Sequence, residues 1–337
     1  MLSGSRGVKV LIVGAAGMIG RKLSARLARD GSLAGRAIAE AHLVDIAAPR
    51  KPDHAPFPVV LGACDIAAPY VAPKLIAGRP DIIFLLASVV SGEAEADFDK
   101  GYGINLGGTH ALFEAIRREQ ALAGGAYRPR VVFTSSIAVF GAPFPEVIGD
   151  EFLVAPLTSY GTQKAIAELL LADYSRRGFF DGVALRLPTI CVRPGAPNQA
   201  ASGFFSGIIR EPLVGKEAVL PVGEEVRHWL ASPRSAVGFL LRAAELDTSL
   251  LGPRRALNLP GVSVTVGEQI EALRQIAGEK AVGFIRRRPD EIIARIVAGW
   301  PRNFKPTRAL TLGFRADANF LAIIRAHIED ELETEGR

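Results

Sequence analysis

The chain has 337 residues, of which 49% are hydrophobic and 22% are charged, proportions that are ordinary for a globular protein. Its formal net charge of +5 is small for this length, and its arginines are scattered rather than gathered into a stripe. This distribution argues against a nucleic-acid partner. No segment approaches the roughly 20 uninterrupted apolar residues that span a bilayer, and the first residues lack the apolar stretch of a signal peptide. We therefore expect a cytoplasmic protein that has no membrane partner.

Short apolar runs alternate with amphipathic stretches through the first half of the chain. The predicted strands are residues 8–13, 42–45, 57–61, 82–86, 131–135 and 183–187. The predicted helices are residues 19–29, 68–77, 98–119 and 159–177. Strands that are apolar on both faces and separated by helices indicate a parallel sheet covered on both sides. Short antiparallel hairpins would need Asn-Gly or Asp-Gly turns, and these are scarce. The predicted fold is α/β, a doubly wound parallel sheet of the Rossmann type.

The pattern changes after residue 187. Three prolines fall within residues 188–198. Short strands (218–220, 227–230) then mix with helices (235–246, 266–277, 291–298, 320–332). We expect residues 1–188 to form the sheet domain and residues 189–337 to form a smaller, mixed α/β substrate domain. The chain is free to cross back between the two.

A glycine motif, GAAGMIG, follows the first strand directly. Gly14, Gly17 and Gly20 allow a tight turn from strand to helix, and the missing side chains let the backbone approach a pyrophosphate. Met18 and Ile19 open the helix, whose positive N-terminus attracts that anion. The spacing is GxxGxxG rather than GxGxxG, and its place between a strand and an amphipathic helix favours a dinucleotide site over a purely structural turn.

Two acidic residues close the next predicted strands. Asp45 ends the strand HLVD, where a carboxylate accepts hydrogen bonds from ribose hydroxyls and repels a 2′-phosphate. It therefore favours NAD over NADP, although a turn cap is the alternative. Asp65 follows the next strand, where it could reach the adenine amino group or only form a turn.

The third group of residues is Ser136, Tyr160 and Lys164. Tyr160 and Lys164 stand at i and i+4, on one face of a helix. A tyrosine hydroxyl titrates near 10, and a neighbouring ammonium together with a positive nicotinamide ring favours the phenolate. Ser136 follows an apolar strand at the edge where such sheets bind ligands. The trio predicts proton transfer beside a nicotinamide. The five histidines show no ligand spacing, so we expect no metal.

These motifs resemble the extended short-chain dehydrogenase/reductase family, which includes nucleotide-sugar epimerases and dehydratases. The matching phrases are GAAGMIG, LLASVVS, INLGGT, TSSIAVFG and YGTQK, and the resemblance covers essentially the whole chain. It implies an NAD(P) cofactor and a tyrosine base, places the catalytic serine at Ser136, and gives Asn105 a supporting role. Further cofactor contacts are expected at Leu86, Ala87, Ser88, Asn105, Tyr160, Lys164, Pro188 and Ile190.

The substrate residues follow from position and from departures from the family pattern. The phrase beginning at Arg227 reads RHWLASPR and lacks the aspartate of epimerase-like members, so Arg227 could pair with a small carboxylate instead of a diphosphate. A surface ion pair is the alternative. The remaining candidates lie near the expected nicotinamide or belong to the catalytic trio: Ser88, Ser91, Ser136, Tyr160 and Thr189.

Longer phrases, among them RHWLASPRSAVGFLL, resemble family members that oxidise C2 of a four-carbon sugar acid. We therefore predict an NAD-dependent oxidation of a small anionic sugar acid. The alternatives are a nucleotide-sugar epimerase or dehydratase that reduces NAD transiently, and an NAD-binding regulator without turnover. The resemblance also implies a homodimer, paired through the helices that end near Arg118 and Arg177.

Overall fold

The computed structural model describes residues 6–195 and 201–333, and the chain folds into two compact units. Within the described residues, unit 1 contains the chain up to Ser135 together with Thr158–Arg186 and Val237–Leu257. Unit 2 contains Ser136–Leu157, Leu187–Ala236 and the chain from Asn258 onward. The prediction placed one division at residue 188 and left the chain free to cross back. In the structure the chain passes between the units several times.

The strands, in chain order, are β1 (Val8–Val13), β2 (Ser32–Leu33), β3 (Arg36–Asp45), β4 (Val59–Ala63), β5 (Ile82–Leu85), β6 (Arg130–Ser136), β7 (Ile148–Gly149), β8 (Asp181–Leu187), β9 (Thr189–Ile190), β10 (Ala218–Leu220), β11 (Arg227–Ala231), β12 (Ala256–Asn258), β13 (Val262–Thr265), β14 (Ile285–Arg287) and β15 (Phe304–Lys305).

The helices are α1 (Met18–Asp30), α2 (Val71–Ile76), α3 (Ser91–Ala96), α4 (Phe98–Gly101), α5 (Thr109–Leu122), α6 (Ser159–Arg176), α7 (Gly203–Leu213), α8 (Pro233–Glu245), α9 (Val266–Val282), α10 (Glu291–Ala298), α11 (Thr307–Thr311) and α12 (Phe320–His327). Tyr102–Gly108 and Ile328–Leu332 are π-helical, and Ile137–Val139 and Thr248–Leu251 are 3₁₀ turns.

The main sheet has the order β12-β8-β6-β5-β1-β3, with β2 and β4 both paired to β3. The pairs β1–β3, β1–β5, β3–β4 and β5–β6 are parallel. Because β3 and β5 lie on opposite sides of β1, the carboxyl ends of these three strands surround the point where the strand order reverses. Open α/β sheets bind their ligands at such a point. The predicted Rossmann-type sheet is confirmed.

One hairpin in this sheet was not predicted. β2 pairs antiparallel with the first residues of β3, and the connecting Ala34 and Gly35 have φ values of 51° and 70°. Two positive φ values match the right-handed twist of a two-residue hairpin. The expectation that hairpins would require Asn-Gly or Asp-Gly was therefore wrong here, because an Ala-Gly pair occupies the turn.

Two predicted helices differ in detail. The segment predicted at 68–77 becomes regular only at Val71, because Tyr70 has a left-handed backbone with φ of 67°. The segment predicted at 98–119 is interrupted by the π-helical Tyr102–Gly108. A Cβ at Gly101 would lie 2.8 Å from Gln163 Nε2. The interruption thus occurs where the chain passes close to α6, and π-helical turns are frequent at functional sites.

Unit 2 is mixed α/β, and within its described residues no sheet has more than three strands. β13 pairs antiparallel with β11, which pairs parallel with β9. The other two sheets are the pairs β10–β14 and β15–β7. A separate apolar core includes Phe205, Ile209, Leu273 and Ile324, all fully buried. The mixed α/β architecture predicted for this region is confirmed.

Candidate cofactor and active site

The glycine turn is packed tightly against its neighbours. Gly14 has φ of +99°, and a Cβ there would lie 2.5 Å from the Ala87 nitrogen. A Cβ at Gly20 would overlap the Gly14 carbonyl oxygen and lie 2.7 Å from Ala15 Cα. Only glycine fits at both positions, since one needs the left-handed region and both lack room for a side chain. The turn therefore has no room for side chains at these two positions, and the approach of a pyrophosphate to its backbone stays a prediction.

Helix α1 begins beside this turn with its first amide groups available. Gly17 is its N-cap, and among the described residues no side chain caps it. Met18 and Ile19 are half-buried in the first turn, where amides have no intrahelical acceptor. Those donors and the helix dipole suit a pyrophosphate. The predicted cofactor residues of this segment fit the phosphates of a dinucleotide.

Asp45 stands at the end of β3 and reaches the same turn. Its Oδ2 accepts from the Ala16 amide at 2.9 Å, and its Oδ1 accepts from the Ile46 amide at 2.7 Å. A carboxylate fixed here is placed to accept ribose hydroxyls beside the glycine turn. Asp65 is exposed, and its Oδ1 accepts from the Ala67 amide at 2.9 Å. This hydrogen bond belongs to the turn that was the alternative role for Asp65.

The segment after β5 forms one side of the same region. The Leu86 and Ala87 amides both donate to the Val13 carbonyl, at 2.8 and 2.9 Å. These bonds hold their backbone against Gly14 at the end of β1. Ser91 lies further along, exposed at the first residue of α3.

Ser88 and Asn105 are hydrogen-bonded to each other. Ser88 Oγ donates to Asn105 Oδ1 at 2.9 Å, and the Val89 amide donates to the same oxygen at 2.8 Å. Asn105 Nδ2 donates to the Val89 carbonyl at 3.1 Å and to Gln163 Oε1 at 2.7 Å. Asn105 is buried on the π-helical segment, so this side chain ties the segment after β5 to α6. Gln163, inside the YGTQK motif, was not predicted.

Tyr160 and Lys164 lie one turn apart on α6, which begins at the Thr158 cap. Thr158 Oγ1 accepts from the Gly161 amide at 3.1 Å. Lys164 is 2% exposed, and its Nζ donates to the Thr134 carbonyl at 2.9 Å. Nζ also lies 5.6 Å from the centroid of the Tyr160 ring. The predicted proximity of phenol and amine within unit 1 is present.

Burial changes the chemistry of Lys164. Desolvation lowers its pKa from 10.5 to about 7, and the nearby Glu168 carboxylate partly offsets this effect. The amine therefore titrates near neutrality in the protein without cofactor.

Glu168, buried one turn beyond Lys164, was not predicted. Its Oε1 accepts from Ser135 Oγ at 2.5 Å, and its Oε2 accepts from Arg186 Nη2 at 2.7 Å. The i+4 spacing from Lys164 was a signal for a shared helix face. Arg186 carried no such signal, because it lies on β8, outside every motif quoted above.

The remaining predicted residues belong to unit 2. Ser136 Oγ accepts from the Ala138 amide at 3.1 Å and caps the short 3₁₀ turn after β6. Pro188 is buried, and Thr189 and Ile190 form β9 beside β11. Thr189 Oγ1 lies 2.7 Å from His228 Nε2. Burial lowers the pKa of His228 to about 3, so this partner of Thr189 is a neutral imidazole.

Arg227 is held within unit 2 by its neighbours. Its Nη1 donates to the Ser263 carbonyl at 3.0 Å and lies 3.4 Å from Glu268 Oε2. The side chain is 37% exposed. Glu268 is thus the partner in the ion pair that was the alternative for Arg227. A substrate carboxylate would compete with Glu268 for this guanidinium.

The described part of the chain carries neither a metal cluster nor a membrane-spanning helix. Across residues 6–195 and 201–333, no three His, Cys, Asp or Glu side chains are grouped so as to hold a metal ion. Over the same ranges, no helix is both long and apolar enough to cross a membrane.

The fold and the glycine turn define a dinucleotide-binding protein of the Rossmann class. Residues 10–249 match the model of the NAD dependent epimerase/dehydratase family. The chain belongs to this family, and NAD is its cofactor. It is an oxidoreductase, as the sequence predicted.

Relatives cover nearly the whole chain. A D-erythronate dehydrogenase of Cupriavidus necator is 48% identical over 96% of this chain and 98% of its own length. A D-erythronate dehydrogenase of Haemophilus influenzae is 41% identical over 96% of this chain and 100% of its own length. A crystal structure described as a nucleoside-diphosphate-sugar epimerase from Agrobacterium tumefaciens is 60% identical, with a TM-score of 0.95 over 99% of this chain and 98% of that one.

Proposed function

We propose that the protein oxidises the C2 hydroxyl of D-erythronate to give 2-dehydro-D-erythronate, with NAD as the hydride acceptor. The observation that carries this proposal is the name shared by two relatives at 48% and 41% identity, both aligned over almost their full lengths. The buried Lys164 beside Tyr160 supports it, because oxidation of an alcohol needs a base and a pure binder does not.

Tyr160 is the proposed base. Its phenolate would take the proton of the C2 hydroxyl, and bound NAD would accept the hydride from the same carbon. The Lys164 ammonium would stabilise that phenolate and would hold the nicotinamide ribose of bound NAD. Ser136 orients the reacting oxygen. NAD, when bound, supplies the electron-pair acceptor and a positive ring that favours the phenolate further.

The substrate contacts are proposed at Ser88, Ser91, Thr189 and Arg227. Hydroxyl groups at the first three positions suit a polyol acid. Thr189 is held by the neutral His228, so its hydroxyl is oriented before substrate binds. Arg227 is the proposed partner of the carboxylate, in exchange for Glu268. A cytoplasmic location and a homodimer complete the proposal.

The second candidate is epimerisation of a nucleotide sugar. The 60% identical structure carries that description, and the same Ser136, Tyr160 and Lys164 would serve both reactions. The two candidates differ in their products, because a dehydrogenase releases NADH and an epimerase reoxidises it within the cycle.

The test is a screen of D-erythronate, L-threonate and nucleotide sugars with NAD⁺ and NADP⁺, followed by NADH absorbance. We expect net NADH with D-erythronate, and a Tyr160→Phe variant should bind NAD but lose at least about a hundredfold in turnover. Conversion of nucleotide sugars alone would reject the substrate. Full activity of Tyr160→Phe would reject the base.

A further inference from the structure

Two residues of α6 hold the last residues of β6. Lys164 Nζ donates to the Thr134 carbonyl at 2.9 Å, and Glu168 Oε1 accepts from Ser135 Oγ at 2.5 Å. Since Lys164 and Glu168 are four residues apart, they lie on one face of the helix. The next residue of the strand is Ser136. The strand is therefore tied to the helix at two successive positions immediately before the proposed catalytic serine.

Glu168 is itself fixed by a buried ion pair. Arg186 Nε lies 3.0 Å from Oε1 and Nη2 lies 2.7 Å from Oε2, so the guanidinium binds both carboxylate oxygens. The two side chains are 11% and 6% exposed. A buried ion pair contributes little net stability compared with apolar residues of the same size, so this pair is weak evidence of a purely stabilising role.

We propose that Glu168 is a positioning residue: held by Arg186, it fixes Ser135 near the end of β6 against α6 and sets its carboxylate on the helix face that carries the Lys164 amine. This inference rests on the proposed function only for its effect on turnover. Glu168 acts through Ser135 and Lys164 rather than on the reacting atoms themselves.

The surroundings of Lys164 support the charge part of the proposal. Glu168 is the carboxylate that raises the pKa of the amine against the effect of burial. The Phe133 ring of β6 lies beside the Lys164 amine, with its centroid 4.8 Å from Nζ. Tyr160 lies on the same helix, and Arg186 on β8 is bound to Glu168. From α3, Glu95 accepts from the Ser159 amide at 2.9 Å, at the exposed start of α6.

The charge is tested by Glu168→Gln, which keeps the side-chain shape and removes the carboxylate charge. The titration of Lys164 is followed by NMR of ¹³Cε-labelled lysine in the cofactor-free protein, with the Lys164→Met spectrum identifying the signal. We expect the midpoint to fall by roughly 0.5–1 in pH, because the favourable carboxylate is gone. An unchanged midpoint in folded Glu168→Gln overturns the proposal.

The matched control is Glu211→Gln. Glu211 forms a comparably buried pair with Arg210, at 2.5 Å and with both side chains 13% exposed, in unit 2. Its loss should leave the Lys164 midpoint unchanged, and an equal shift there would assign the effect to general destabilisation and overturn the proposal.

The positional part is tested by Ser135→Ala, which removes the hydrogen bond and keeps the charge. We expect kcat to fall about tenfold with KM little changed, since a small misplacement of a catalytic group costs rate. A wild-type kcat in Ser135→Ala overturns the positioning role. This variant decides that role even if Glu168→Gln fails to fold. Should no sugar acid be turned over by the wild type, the proposed function fails, while the lysine titration still decides the role of Glu168.

Discussion

Replacing Lys164 by methionine should stabilise the protein, and by more as the pH falls towards neutrality. Burial lowers the pKa of Lys164 from 10.5 to about 7. Between those values the unfolded chain holds a proton that the folded chain lacks, so the wild type becomes more stable as the pH rises, and the destabilising effect of this group is largest below pH 7. The Lys164→Met variant has no such titration. Each pH unit in this window is worth about 1.4 kcal/mol.

The assay is denaturant unfolding of both proteins without NAD at about pH 7.5 and about pH 9.5, inside that window. The stability of Lys164→Met relative to wild type should be roughly 2–3 kcal/mol greater at the lower pH. The Thr134 carbonyl loses its donor in the variant, but that cost does not depend on pH. Lys51→Met, at an exposed position, is the control and should show no such change with pH. If the difference in stability between Lys164→Met and the wild type were the same at both pH values, the claim that the Lys164 amine is desolvated would be refuted.

Three further predictions concern the cofactor turn and the assembly. Asp45→Asn should reduce the preference of kcat/KM for NAD over NADP by about tenfold, and an unchanged ratio would remove Asp45 from the ribose site. Gly20→Ala should weaken NAD binding and lower stability by about 1–3 kcal/mol, because its Cβ overlaps Gly14, whereas Gly78→Ala meets open space and should do neither. Leu169, 73% exposed on α6, is expected in the contact of the proposed homodimer, so Leu169→Glu should give monomers in sedimentation; a monomeric wild type would contradict this.

The features that sequence predicts well are those in which one local pattern determines the geometry. The glycines at positions 14 and 20 predict the turn because no other residue fits there. The position of Asp45 is predicted by the end of its strand. The proximity of Tyr160 and Lys164 is predicted by their spacing on a helix. Each of these inferences needs only the chain within a few residues of the motif.

The features that sequence did not predict depend mainly on contacts between distant segments. The π-helical stretch that carries Asn105 follows Gly101, where the chain passes close to Gln163 on α6, and no local periodicity reveals this contact. Arg186 reaches Glu168 only because β8 lies beside β6 in the sheet. The Ala34-Gly35 hairpin is a local feature, yet its turn lacks the residue pairs that usually mark one.

Transfer of the C2 hydrogen is the central claim, and isotope labelling tests it most directly. D-erythronate deuterated at C2 is incubated with NAD⁺ and the protein, and the cofactor is analysed by mass spectrometry. We predict one deuterium in each NADH formed, and no NADH from Tyr160→Phe above a small residual rate. Unlabelled NADH, or no NADH while a nucleotide sugar is epimerised, would contradict it.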